Sequence, residues 1–257
     1  MLSFQASTWA DIDSLRTQIM ERPFDTIEDA AQAFATRLAE SCPTAILARV
    51  FAVLPLAKLP LPERNFATAL VGKDEALEAR TPVLSLLGTA GRESPWCDRR
   101  QSVGHRAIPL LGATFVRNIP MIAKLLSDLD VSFSGLEDER VLDTRRLLGG
   151  NNAAFFVPDA RSTQDSEGRH VIPSGDFVAA YGIRTVFGMG GAYVDGTLAV
   201  AIIFTSEVID RLVVDRFPSL ISNFKIATGE LLARGRVFRN NDEVVDSSPA
   251  GERLSRV

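Results

Sequence analysis

The sequence predicts an α+β domain built on a central antiparallel sheet of five or six strands, and three observations support that expectation. Residues 176–205, DFVAAYGIRTVFGMGGAYVDGTLAVAIIFT, read in succession as helix, strand, tight turn and buried strand. Strand-to-strand hairpins of this kind argue against a doubly wound parallel sheet. Towards either end of the chain, residues 27–38 and 208–232 carry apolar side chains three or four apart, the spacing of one buried helix face.

Each element has its own signal. Trp9 to Met20 is a short helix, punctuated by Pro23. Thr26 with Asp29 three residues on approximates a capping pair, and Ile27, Ala30, Ala31, Phe34 and Leu38 line one face of a helix that stops near Pro43. Thr44 to Leu54 is an aliphatic strand whose only charge is Arg49. A proline-rich link and a short helix around Asn65 to Val71 precede a second strand, Pro82 to Leu87, which Gly88 ends. Residues 89–103 form a polar loop, and His105 to Leu111 returns to apolar character.

Asn118 reads as a helix cap with Pro120 just inside, followed by Ile119, Ile122, Leu126 and Leu129 on one face. Residues 132–150 carry mixed charges and read as a surface connection with a short helix. Ala153 to Val157 is a short strand and Asp159 to Arg169 a polar loop. Within the 176–205 stretch, Gly182 stands where a helix needs a left-handed C-terminal residue, and Asp195-Gly196 suits a hairpin turn. Gly188, Gly190 and Gly191 leave the first strand of the hairpin without side chains, so another backbone or a ligand approaches there. Pro218 marks a break or a first turn in the closing helical region.

Composition narrows the function. The chain has 257 residues, 46% of them hydrophobic, enough for a substantial core. A net charge of −4 gives no basic footprint for nucleic acid. No stretch reaches the roughly 18 apolar residues of a membrane helix, and the N-terminus lacks a signal-peptide pattern, so a cytosolic location is expected. Cys42 and Cys97 have neither zinc nor thioredoxin-like spacing, and His105 and His170 form no metal motif.

The strings GRESPWCDRRQSVGHRAIPL, FVRNIPMIAKLL and IPSGDFVAAYGIRTVFGMGGAYVDGTLAVAIIFT, together with the order of elements, resemble GAF-like sensory modules at the head of bacterial histidine kinases and related signalling proteins. The resemblance spans residues 26–235, leaving an N-terminal helical extension at 1–25 and a polar, disordered tail at 236–257. It implies a GAF/PAS-like sheet with the N- and C-terminal helices on one face and a ligand pocket on the other. It also implies signalling through those helices to a kinase or other effector, here a separate or missing one. No NKFDE string of cyclic-nucleotide binders, bilin-attachment motif or cysteine cluster of the methionine-sulfoxide-reducing members is present.

The loop from Arg92 to His105 concentrates pocket chemistry: Trp96 for stacking, Arg99 and Arg100 for an anion, Ser102 for a hydrogen bond and His105 as a titrating group. Tyr181, Phe187 and Gly188 are expected to line the pocket floor. Each has a plainer reading: the arginines on the surface, Trp96 as a packing anchor, His105 as a structural histidine, Tyr181 and Phe187 as core. His170 reads as exposed. The expected function is a small-molecule sensor, not an enzyme, with an unspecified ligand. The apolar helix faces exceed what one sheet face needs, which predicts a homodimer. Alternatives are a protein-interaction module with a vestigial pocket, a haem sensor using a histidine, and a cysteine enzyme using Cys97 with His105.

Overall fold

A computed structural model describes residues 2–19, 23–72, 76–134, 141–143 and 152–239. The two amphipathic regions and the aliphatic runs between them build a sheet covered on both faces. Helix α1 (Trp9–Ile19) precedes α2 (Ile27–Ser41), whose Asp29 N–H donates to Thr26 Oγ1 at 3.1 Å, so the capping pair read in the sequence starts the helix. Strand β1 (Ala45–Pro55) leads through α3 (Leu61–Leu70) to β2 (Pro82–Gly91) and β3 (Ala107–Pro109). Helices α4 (Ala113–Arg117) and α5 (Pro120–Asp128) follow, with Pro120 in the first turn of α5. Then come β4 (Ser132–Ser134), β5 (Val141–Asp143), β6 (Ala153–Val157), α6 (Gly175–Ala180), β7 (Thr185–Ala192), β8 (Leu198–Thr205), α7 (Arg211–Val214) and α8 (Pro218–Ala233).

The main sheet is open and has six strands in the order β3-β2-β1-β8-β7-β6, every neighbouring pair antiparallel. Strands β1 and β8, apolar on both faces, occupy its centre. A bulge between Val50 and Phe51 shifts the β1–β2 register, so that Gly88 faces α2. A Cβ there would stand 2.2 Å from the backbone carbon of Ala31. The glycine therefore lets the helix backbone reach the sheet, and β2 runs on to Gly91 instead of ending at Gly88. Segment 132–150 departs from the expected helical connection where it is described: β4 and β5 pair as a two-stranded ribbon, and the remainder lies outside the described residues.

Two cores flank the sheet. The first layer holds α1, α2 and α8, with Phe34 of α2 packed edge-on against Phe224 of α8 at 5.7 Å. The second layer holds α4, α5, α6 and the loop before α6, with Leu110, Leu125, Phe155 and Val157 fully buried. Burying each such side chain contributes about 1.5–3 kcal/mol. Among the described residues no helix is long and apolar enough to cross a membrane.

Both ends expected to lie outside the domain join its first core. Phe4 is fully buried against Phe187 and Phe217, at 5.2 and 5.8 Å, and Ile12, Leu15 and Ile19 of α1 pack beside them. The surplus apolar face assigned to a second subunit is thus partly covered by the chain's own N-terminal segment. Residues 236–239, assigned to a disordered tail, are also packed. Carbonyls of Arg236 and Val237 accept from Ile27 N and Glu28 N at 3.0 and 2.8 Å, supplying partners to the otherwise orphaned first N–H groups of α2. Val237 and Phe238 are buried, while residues 240–257 lie outside the described residues.

Candidate ligand site

The loop between β2 and β3 bends around the sheet so that its residues reach both layers. Two 3-10 turns, Ser94–Cys97 and Arg99–Gln101, divide it. The first sets Trp96 on the second-layer face. Its indole rests where a Cβ of Gly91 would be, with Trp96 Cε3 only 2.8 Å from that point. Trp96 meets Tyr181 at 4.7 Å and Phe177 at 5.6 Å between ring centres, and Phe177 continues to Phe204 at 5.7 Å. Tyr181 also donates from its hydroxyl to Glu93 Oε1 at 3.3 Å. The structure therefore brings Trp96 and Tyr181 together, and adds Phe177, as a half-buried aromatic cluster.

The second turn points the other way. Arg99 is buried in the first layer, where its Nε lies 2.9 Å from Glu28 Oε1, its Nη2 donates to Glu28 Oε2 at 3.0 Å and its Nη1 to Glu63 Oε1 at 2.6 Å. Burial alone disfavours the charge, but the bonds and field of Glu28 and Glu63 outweigh it and hold the guanidinium above its ordinary pKa. Arg99 is consequently neither a surface residue nor available to a ligand on the opposite face. Arg100 lies 3.4 Å from Glu28 Oε1 and borders a 120 Å³ cavity with Gln32, Cys97 and Arg239, again on the helix side. The expected anion role of Arg99 is corrected by this geometry, while Arg100, exposed as in its plainer reading, is turned towards α2 by the Asp98-capped turn.

Arg49 stands instead on the sheet face beneath Trp96. It shares that face with Leu47, which pairs with Gly91, and lies two residues, about 7 Å, further along β1. Its Nη1 donates to Gly104 O at 3.1 Å and its Nη2 to Ser102 Oγ at 3.0 Å, while Nε is buried without a partner among the described residues. Burial without a carboxylate pushes its pKa down to about 10. Ser102 passes its own hydrogen to Gly104 O at 2.9 Å. His105 follows with φ 56°, a left-handed backbone uncommon for a residue with a side chain. Burial, and then the charge of Arg49, lower its pKa. Ser102 and His105 are thus gathered around Arg49, a site residue that lies outside the loop. The signal was present as the single charge in an aliphatic strand.

Phe187 and Gly188 fare differently. Side chains alternate along β7, which sends Phe187 to the first core against Phe4 and Phe217, away from Trp96. Gly188 is on the second-layer face, but a Cβ there would stand 2.4 Å from Ala201 O of β8. A neighbouring backbone fills the approach. Gly190 is covered by Leu129, and Gly191 by Asn152 and Lys225. His170 is exposed at the end of an isolated bridge to Gln164. Cys97 donates to Gly91 O at 3.4 Å beside Arg100, whereas His105 adjoins Arg49.

The architecture is GAF-like: an open antiparallel sheet with terminal helices on one face and short helices and loops on the other. No protein-family model and no curated protein matches the chain. Similar solved structures include the GAF domain of a phosphoenolpyruvate-protein phosphotransferase from Coxiella burnetii, at 12% identity and TM-score 0.46, covering 89% of this chain and 99% of that one. Another is the phycocyanobilin-bound GAF domain of a cyanobacterial phytochrome, at 9% identity and TM-score 0.45, covering 89% and 98%. A third is free methionine-R-sulfoxide reductase from Neisseria meningitidis in complex with its substrate, at 11% identity and TM-score 0.45, covering 91% and 98%.

Proposed function

We propose that this chain is a small-molecule-binding sensor of bacterial signalling that binds without turnover and reports through its terminal helices. One observation carries the reading: the loop 92–106 presents Trp96, Ser102 and His105 to one face of the sheet and locks Arg99 into the other. Arg99 touches α2 through Glu28, and its guanidinium lies 5.0 Å from the ring of Phe238, just beyond α8. A molecule that shifts the loop on one face therefore displaces the contacts that hold the chain's exit on the other. It signals only by binding the two arrangements unequally. The resemblance in the sequence supplies the receiver, a histidine kinase or related cytoplasmic signalling protein.

The same reading includes a homodimer through α8. Ile226 and Val194, 80% and 99% exposed, border a groove of about 680 Å³ between that helix and the β7–β8 turn. A second reading, a protein-interaction module, is favoured by the dense second core, where Leu110, Leu125 and Phe155 fill the face expected to hold a pocket.

Native mass spectrometry of the purified chain, followed by hydrogen exchange with and without any molecule found, separates the two. A co-purified molecule that changes exchange at both 93–105 and 236–239 supports the sensor. A folded chain carrying no molecule, and unshifted in melting by a metabolite screen, supports the interaction module.

A further inference from the structure

Two unpaired polar groups meet on the second-layer face at the centre of the sheet. Arg49 pairs directly with Thr89 across β1 and β2, so the two side chains emerge side by side. Thr89 is fully buried, and its Oγ1 has no partner among the described residues; Arg49 Nε is in the same condition. A buried hydroxyl or N–H without an acceptor is destabilising, and a desolvated guanidinium without a carboxylate is more so. Among the described residues Nε of Arg64, Arg99 and Arg106 is likewise without a hydrogen-bond partner, so what sets Arg49 apart is the charge of its acceptors. Arg99 has two carboxylates and Arg106 donates to Glu63 at 2.9 Å. Among the described residues only neutral oxygens of the loop, Ser102 Oγ and Gly104 O, receive hydrogens from Arg49.

We infer that Arg49 and Thr89 form the anchor of an oxyanion site, filled by the carboxylate of a small aromatic acid whose ring lies against Trp96 and Tyr181. The inference rests on the sensor reading and names the ligand class for it. Charge supplies the first reason: a guanidinium bonded to neutral oxygens alone, beside a hydroxyl without a partner, offers donors and no acceptor charge, which selects an anion. Spacing supplies the second. Arg49 lies about 7 Å along the strand from the Gly91–Leu47 pair on which Trp96 rests, the reach from a carboxylate to the far side of one aromatic ring. Backbone form supplies the third, because the left-handed His105 follows Gly104, whose carbonyl Arg49 already holds. An incoming carboxylate competes for the hydrogens now given to Ser102 and Gly104. The site and the loop that reports it are therefore the same set of bonds.

The test uses benzoate as the aromatic carboxylate, with acetate and inorganic phosphate as arms lacking the ring. Calorimetric titration and thermal shift are run on the full chain and on Arg49→Met and Thr89→Val. The expected result is benzoate binding tighter than either control, weakened by about tenfold or more in Arg49→Met and a few-fold in Thr89→Val. Free Thr89→Val should melt at or above the parent temperature, since it removes a buried hydroxyl without a partner, whereas Arg49→Met also loses the bonds to Ser102 and Gly104 and is compared at a temperature where circular dichroism shows it folded. A merely structural arginine would leave benzoate affinity unchanged in folded Arg49→Met. The inference is overturned if none of the three anions binds the folded parent, or if Arg49→Met retains benzoate affinity. Phosphate binding tighter than benzoate overturns the aromatic acid. A co-purified molecule bound equally by parent and Arg49→Met overturns the oxyanion site while leaving the sensor reading intact.

Discussion

The guanidinium of Arg99 faces the ring of Phe238 at 5.0 Å, joining the loop after β2 to the segment that leaves α8. The same arginine neutralises Glu28 and Glu63, both buried, and Glu28 in turn accepts from Arg239 N at 3.0 Å. Replacing it leaves Glu63 with Arg106 alone and Glu28 with the longer contact to Arg100 and the Arg239 N–H, both carboxylates still buried in the first core. Arg99→Met is expected to lower unfolding free energy by about 3–5 kcal/mol, measured by urea denaturation. Replacing all three partners, Arg99→Met with Glu28→Gln and Glu63→Gln, should recover much of that loss, yet leave 236–239 exchanging faster than in the parent.

Glycines at close backbone approaches should be far less replaceable than glycines under side chains. At Gly88 an added Cβ meets the Ala31 backbone at 2.2 Å; at Gly190 it meets the Leu129 side chain at 2.5 Å. Gly88→Ala should cost more than about 3 kcal/mol because α2 must lift from the sheet, and Gly190→Ala about 1–2 kcal/mol because Leu129 turns aside. Chemical denaturation of the pair checks the ranking.

Much of the fold was legible because it obeys periodicity. The hairpin of β7 and β8, the Thr26 cap, Pro120 and Pro218 in first turns, and Gly182 at φ 61° all lie where local chemistry puts them. The site was legible only in part. Trp96, Ser102 and His105 were found as pocket-type residues in one loop, but which face each reaches depends on two 3-10 turns that no periodicity announces. Arg99 and Arg100 are adjacent in sequence to the site and directed away from it. Arg49 is distant in sequence and placed within it by strand register alone.

Acid should loosen the N-terminal segment first. Glu207 accepts from Ser3 Oγ, Phe4 N, Gln5 N and Thr44 Oγ1, and although burial works to raise its pKa these bonds hold it below the ordinary value. A depressed carboxylate contributes stability that is present above its unfolded pKa and lost as pH falls through the folded one. Thermal melts between about pH 5 and pH 3 should show a decline that Glu207→Gln flattens.

His105 should add a second, milder slope at higher pH. Burial, and then Arg49, lower its pKa, so the folded state holds fewer protons than the unfolded one just below about pH 6.5. That stability is full above the unfolded value and is lost as pH falls towards the folded one. His105→Asn, which tolerates a left-handed backbone, should remove this slope without unfolding the chain.

Pairing through α8 should depend on Ile226, exposed beside the groove. Ile226→Glu is expected to leave the melting temperature nearly unchanged and to shift sedimentation from dimer to monomer. A parent chain that sediments as a monomer at high micromolar concentration would end the dimer proposal.

Phe4, Phe187 and Phe217 meet in one trio of edge-to-face contacts, and none of the three is a neighbour of another along the chain. During synthesis, the first of them waits for nearly the whole domain to leave the ribosome before its socket exists. Until then an apolar N-terminal arm is uncovered, which makes early chain release or heat stress a hazard of aggregation more than of lost binding.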